Sequence, residues 1–190
     1  MERELKQKGS NHIVKVVLFG PESTGKTTLS KALANHYNTV WVPEFARTYL
    51  QKKWDKEKKT IEPTDLLPIA VGQMNLENKL AKKANKILFC DTDLLQYKVY
   101  SEVYYHGKVQ PLLDKAALEN AYNLYLLTYI DTPWIADDLR DRPNDREFMF
   151  QAFKNALEKY NRPYKWLKGS SEQRLKTAVN RIDKLLAKNG

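Results

Sequence analysis

The chain of 190 residues carries 32 Lys and Arg against 23 Asp and Glu, a formal net charge of +9, and a single cysteine, Cys90. That length allows one well-buried core and is short for two ordinary domains plus a linker, so a single domain over residues 1–190 is expected. One cysteine excludes an internal disulfide, the charged opening excludes a signal peptide, and no apolar run reaches transmembrane length; a soluble, cytoplasmic protein without a membrane partner follows.

In chain order, a polar leader (1–12) precedes the apolar run Ile13 to Phe19, which predicts a strand. It leads directly into Gly-Pro-Glu-Ser-Thr-Gly-Lys-Thr, residues 20–27, and then into a helical pattern from Lys26 to Tyr37. Strand, glycine loop and helix start give the G-x-x-x-x-G-K-[ST] motif its required context. Backbone amides of such a loop turn inward around a triphosphate, Lys26 reaches the outer phosphates, and the Thr27 hydroxyl is left for Mg²⁺. Gly20, Pro21, Glu22, Ser23, Thr24, Gly25, Lys26, Thr27 and Thr28 are therefore the expected phosphate-binding set, with ATP or GTP as ligand.

A second strand is predicted over Thr39 to Val42, followed by Glu44 and Arg47, then by lysines interleaved with Asp55 and Glu57 that read as a solvated helix face. A helix over Thr64 to Ala84 leads to a strand from Lys86 to Cys90, whose apolar run makes Cys90 a core residue. Asp91-Thr92-Asp93 follows. An acid ending a strand beside a phosphate loop suits Mg²⁺, while Thr92 or Asp93 suits a helix N-cap. Helices are predicted over Asp93 to Tyr105 and Leu112 to Asn120, then a strand over Leu124 to Thr128. The polar stretch 131–143, with Arg140 and Arg142 among Asp137, Asp138 and Asp141, reads either as a lid over the transferring phosphate or as an exposed charged loop. A helix from Asn144 to Tyr160, a weak strand from Tyr164 to Leu167 and a helix from Ser171 to Lys188 complete the chain. The last helix pairs an apolar stripe with Arg174, Lys176, Arg181 and Lys184, again a solvated face, so no dedicated nucleic-acid surface is expected.

Strands alternating with helices predict an α/β fold, a P-loop NTPase three-layer sandwich with a mostly parallel five-stranded sheet covered on both faces. Ligands of such sheets sit beyond the strands' carboxyl ends, where the loop, Glu44 with Arg47, Asp91 with Asp93, and the lid all fall. Glu44 and Arg47 could equally form an i, i+3 surface ion pair. The guanine-reading Asn-Lys-x-Asp of signalling GTPases is absent.

These segments resemble the ribosylnicotinamide kinase domain of NadR-type NAD-biosynthesis proteins. The resemblance rests on the phosphate loop, Glu44-Phe-Ala-Arg47, Phe89-Cys-Asp91-Thr-Asp93 and Trp134-x-x-Asp137-x-x-Arg140, with the Tyr105 to Asp114 connection alongside. It covers the chain from Ile13 to the last helix. It extends to the kinase domain alone, since His12, His36 and His106 cannot form a nucleotidyltransferase His-x-Gly-His. The resemblance implies ATP- and Mg²⁺-dependent phosphorylation of nicotinamide riboside to nicotinamide mononucleotide in NAD salvage. Under it, Lys26 and the loop hold ATP, Thr27 and Asp91 hold Mg²⁺, and Arg140 with Arg142 meets the charge on the γ-phosphoryl group. Glu44 accepts the ribose proton, with Asp93 as the competing base, and Arg47, Asp93 and Trp134 join Glu44 at the substrate. Trp41, Tyr97, Tyr104 and Tyr105 are further candidates for an aromatic face toward the pyridinium, and Asn161 to Lys165 for the adenine. A kinase of another nucleoside or small hydroxyl substrate, and a nucleotide-switched nucleic-acid-binding protein, are the alternatives.

Overall fold

The computed structural model describes residues 2–8, 13–140 and 142–189. Its centre is a five-stranded, wholly parallel sheet in the order β2-β3-β1-β4-β5. The strands are β1 (Val14–Phe19), β2 (Trp41–Val42), β3 (Ile87–Asp91), β4 (Leu124–Thr128) and β5 (Tyr164–Leu167). The helices are α1 (Lys26–His36), α2 (Phe45–Glu57), α3 (Leu66–Ala81), α4 (Leu94–Tyr104), α5 (Pro111–Glu119), α6 (Arg146–Lys159) and α7 (Ser171–Asn189). The predicted three-layer P-loop sandwich is present.

Strand alternation divides the core. Val14, Val16 and Leu18 of β1 face α1 and α7, where they meet Leu33, Ala178 and Ile182. Val17 and Phe19 face the other way, onto Leu95 of α4 and Phe150 and Phe153 of α6. Both faces are thus covered, as a parallel sheet requires, and every residue of β1, β3 and β4 is buried. Cys90 lies fully buried within this core, as expected.

One element extends the sequence reading, which places only a solvated helix face there, and one departs from it. The lysine-rich stretch after β2 forms the full helix α2, of which only Ala46 is buried, so it carries almost no apolar periodicity. The opening residues are not a free leader. Leu5 is 1% exposed inside a cluster formed by α2, α3, α4 and α5. Asn78 and Asn120 clamp the backbone beside it, accepting from the Lys8 and Gln7 amides and donating to the Lys6 and Leu5 carbonyls. Gln7 also reaches Glu77, which is fully buried and paired with Lys15 of β1 at 2.9 Å. His12 and the rest of 9–12 lie outside the described residues, as does Asp141.

Candidate active site

The phosphate loop leaves β1 through Gly20 at φ 132°, a conformation that L side chains rarely adopt. A Cβ there would also stand 2.9 Å from Thr128 Oγ1, so β4 approaches the loop too closely for a side chain. Thr128 Oγ1 in turn lies 2.7 Å from Thr24 Oγ1, which donates to the Pro21 carbonyl at 2.8 Å. Gln96 of α4 accepts from the Gly20 amide at 3.3 Å. Lys26 opens α1 buried against the loop, its Nζ donating to the carbonyls of Gly20 and Pro21 at 2.9 and 2.7 Å. Burial pushes its ammonium below the ordinary lysine value, opposed by Glu44, Asp91 and Glu22.

Asp91 ends β3 facing α1. Its Oδ2 accepts from the Thr27 hydroxyl at 2.5 Å, and its buried Oδ1 has no hydrogen-bond partner among the described residues. Burial raises the Asp91 carboxyl, with Lys26 and the Thr27 bond acting against it. A carboxylate oxygen and a hydroxyl side by side are the hard donors that suit Mg²⁺ when phosphates and water complete its shell. No cluster of three or more His, Cys, Asp or Glu side chains among the described residues could hold a metal without such help.

Between the two acids, Thr92 takes φ 86°, an uncommon value for a β-branched residue that costs on the order of 1–3 kcal/mol. The turn sends Asp93 away from the cleft. Asp93 caps α4 by accepting from the Gln96 amide at 3.0 Å and binds the Tyr125 hydroxyl at 2.7 Å, with 1% of its surface exposed. Asp93 thus lines neither of the cleft's two cavities, both its oxygens being engaged by Gln96 and Tyr125.

Glu44 precedes α2 in an extended conformation held from α3. Gln73 accepts from the Phe45 amide at 2.8 Å and from the Tyr97 hydroxyl at 3.0 Å. Gly72 makes room for the Phe45 ring, whose nearest carbon would lie 2.1 Å from a Cβ at that position. Burial and Asp91 push the Glu44 carboxyl up, while Lys26, Arg47 and Arg140 pull it down; the balance is upward. Arg47 pairs across to the lid, on Asp137 at 2.7 Å, and not with Glu44.

Two adjoining cavities share this wall. The first is lined by Glu22 to Thr28 of the loop and by Glu44, Arg47 and Arg140. The second is lined by Tyr97, Tyr100, Tyr104 and Tyr105 with Glu22, Glu44 and Asp138. The lid runs over the first as irregular chain through residues 131–140 and 142–145, with Ile135 donating its amide to Ser23 Oγ at 2.8 Å and Thr132 its hydroxyl to the Ser23 carbonyl at 2.8 Å.

Several expected residues lie elsewhere. Arg142 is turned from the phosphate cavity onto the Tyr104 ring at 4.3 Å and onto Asp145 at 2.9 Å. Trp134 lines neither large cavity; it faces a smaller one with Arg142, near the Arg146 guanidinium at 5.8 Å. Trp41 sits at the sheet edge near Lys31 Nζ. Asn161 to Lys165 enter β5, pairing Tyr164 with Tyr125 at the start of β4, so they occupy the end of the sheet opposite the phosphate loop. Arg174, read as part of a solvated face, is 3% exposed and bonded to the loop carbonyl of Thr24 at 2.6 Å. Gln73, Gln96 and Arg174 were not singled out for the site, since isolated helical side chains carry no motif.

Strand order, phosphate loop and paired cavities define a P-loop nucleotide-binding domain of kinase-like fold. The chain belongs to the family described as AAA domain, which matches residues 15–174. It is similar to the trifunctional NAD biosynthesis/regulator protein NadR of Salmonella typhimurium, 33% identical over 144 residues that cover 75% of this chain and 34% of that protein. The Escherichia coli NadR protein gives 33% over 125 residues, covering 66% of this chain and 30% of that protein. The chain therefore spans about a third of the length of the curated relatives it matches. A crystal structure of a NadR protein in complex with NR superposes with a TM-score of 0.79 at 22% identity, over 91% of this chain and 51% of that one. The expected resemblance to NadR-type proteins stands.

Proposed function

We propose that the domain transfers the γ-phosphoryl group of ATP to the ribose 5′-hydroxyl of nicotinamide riboside, giving nicotinamide mononucleotide and ADP, as a cytoplasmic NAD-salvage kinase. The observation that carries this reading is Glu44, which with Glu22 of the loop lines both the phosphate-loop cavity and the tyrosine-walled cavity. A group at that junction meets an acceptor hydroxyl on one side and a γ-phosphoryl group on the other. The relatives support the identity of the acceptor.

Glu44 accepts the hydroxyl proton as the acceptor oxygen bonds to the γ-phosphorus and the bond to the β–γ bridging oxygen breaks, leaving with ADP. A carboxyl raised toward neutrality is a better match to that proton than an ordinary one. Lys26 exchanges its loop carbonyls for phosphate oxygens, and Arg140 lies in the same cavity to meet the developing charge. Thr27 and Asp91 would hold Mg²⁺, which when bound neutralises charge on the phosphate oxygens. The acceptor cavity joins aromatic faces to the carboxyl groups of Glu22, Glu44 and Asp138, a combination suited to a pyridinium cation.

The test compares kcat/KM for nicotinamide riboside, its neutral reduced analogue, uridine and cytidine. Cation–π contact alone should favour the cationic acceptor by about 1–2 kcal/mol, or about 5- to 30-fold. Equal or better turnover of the neutral nucleosides would overturn the assignment and favour a general nucleoside kinase.

A further inference from the structure

On the lid, two arginines of the phosphate cleft share one carboxylate. Asp137 Oδ2 accepts from Arg47 Nη1 at 2.7 Å and lies 3.3 Å from Arg140 Nε, while Oδ1 accepts from the Leu139 amide at 3.0 Å. Arg47 comes from α2 and Arg140 from the lid itself; both line the phosphate cavity, and Asp137 is not among the residues lining it. That arrangement has an electrostatic reason. A carboxylate facing a triphosphate would repel it, whereas one behind two guanidiniums offsets their mutual repulsion; here it hydrogen-bonds Arg47 and stands close by charge to Arg140, whose Nη1 donates to the Ile135 carbonyl. Burial acts to raise the Asp137 carboxyl, but the Arg47 bond and the two guanidinium charges hold it below its ordinary value, so it stays ionised.

The clasp also reaches the acceptor. Asp138 and Leu139, the next residues along the lid, line the tyrosine-walled cavity, and Leu139 lines the phosphate cavity as well. Joining Asp137 to Arg47 therefore closes one strip of chain over both.

We propose that Asp137 is a positioning residue that clasps the lid to α2 and presents Arg140 to the transferring phosphoryl group, so that phosphate passes to the acceptor and not to water. The proposal rests on the kinase reading for its acceptor step, though not for the clasp.

The test uses the full chain with Asp137→Asn, Asp137→Ala and Asp137→Glu. Asp137→Asn should lower kcat about 10- to 10²-fold with little change in KM for ATP, since misplacing a catalytic group by about 1 Å is enough for such a loss. The ratio of ATP hydrolysis to acceptor phosphorylation should rise, and Asp137→Glu should recover part of the loss. With AMP-PNP bound, trypsin should cut after Arg140 faster in the Asn and Ala variants than in wild type, at matched thermal stability. Wild-type kcat, hydrolysis ratio and cleavage rate in Asp137→Asn, or losses that follow melting temperature alone, would overturn the clasp. Should wild-type protein fail to phosphorylate nicotinamide riboside, the acceptor assignment falls, and cleavage after Arg140 with acceptor-free hydrolysis still decides the role of Asp137.

Discussion

Replacing Asp93 by Asn separates the two acids that flank Thr92. Asp93 is buried with one oxygen on the Gln96 amide and the other on the Tyr125 hydroxyl, and burial nevertheless pushes its carboxyl from 3.8 up to about 6. The folded protein thus holds this proton more tightly than the unfolded chain does. Its contribution to stability is fully present below the unfolded value and is lost as pH rises through the folded one. The whole shift corresponds to about 3 kcal/mol, of which about 2 kcal/mol falls between about pH 4 and about pH 6. An Asn side chain keeps an oxygen for the cap and an amide for Tyr125, and it cannot ionise. The difference in unfolding free energy between variant and wild type, from urea midpoints across that window, should therefore move by about 2 kcal/mol in the variant's favour as pH rises. Turnover should stay within about threefold of wild type, because neither oxygen faces the cleft. A flat difference curve would refute the burial argument. A loss of kcat of about 10²-fold at unchanged stability would make Asp93 the base after all.

The remaining expectations concern the cleft. Lys26→Ala should lower kcat/KM by about 10²-fold or more, about 3 kcal/mol, in a protein that still melts cooperatively; unchanged turnover would remove Lys26 from the mechanism. Asp91→Asn should shift the Mg²⁺ requirement upward, whereas Glu44→Gln should leave that requirement alone and lower kcat by up to about 10²-fold, and identical Mg²⁺ titrations of the two variants would erase the division of roles. In wild type, kcat should rise with pH through a Glu44 value above the ordinary glutamate range, because burial raises that carboxyl and the base must be ionised; Glu44→Gln should abolish that limb of the profile. Arg174→Lys should raise KM for ATP while leaving KM for the acceptor unchanged, and equal effects on both would place the residue's influence outside the nucleotide half of the cleft.

The strands were legible because a parallel sheet buried on both faces needs contiguous apolar runs, and β4 and β5 fall on the predicted bounds. Predicted β2 shrinks to Trp41–Val42, since only these residues pair with β3. Helix α2, read only as a solvated helix face, has no predicted bounds for the opposite reason. It packs through few side chains, so its sequence is lysine-rich and nearly aperiodic. In the cleft, Lys26, Thr27, Glu44, Arg47, Asp91 and Arg140 converge because each follows or overhangs the carboxyl end of a strand. The lid aromatic and Arg142 lie outside the two cavities. A segment without regular periodicity does not reveal which side of a turn faces the ligand, and Trp134 and Arg142 turn toward α6 and Tyr104. Asp91 and Asp93 look equivalent in sequence, and only the strained Thr92 turn sends them apart.

Arg174 shows why an ordinary-looking helical residue can hold a catalytic loop. At the carboxyl ends of β4 and β5 the chain leaves the sheet, and the carbonyls of Tyr129, Gly169 and the loop's Thr24 converge on the Arg174 side chain, which is 3% exposed. Leaving the buried Thr24 carbonyl unpaired would cost about 1–3 kcal/mol, so a donor has to come from another layer. A lysine brings one compact head. The guanidinium brings donors in a fixed fork, and Arg174 spends them on all three carbonyls and on Asp131, whose other oxygen accepts from the Gly169 amide at 2.6 Å. Asp131 thereby offsets the buried charge and ties the start of the lid to the turn after β5. Sequence periodicity places Arg174 beside the apolar stripe of α7, where a charged residue reads as the edge of a solvated face; two of its three carbonyls, those of Thr24 and Tyr129, come from segments more than forty residues distant, which no local pattern records.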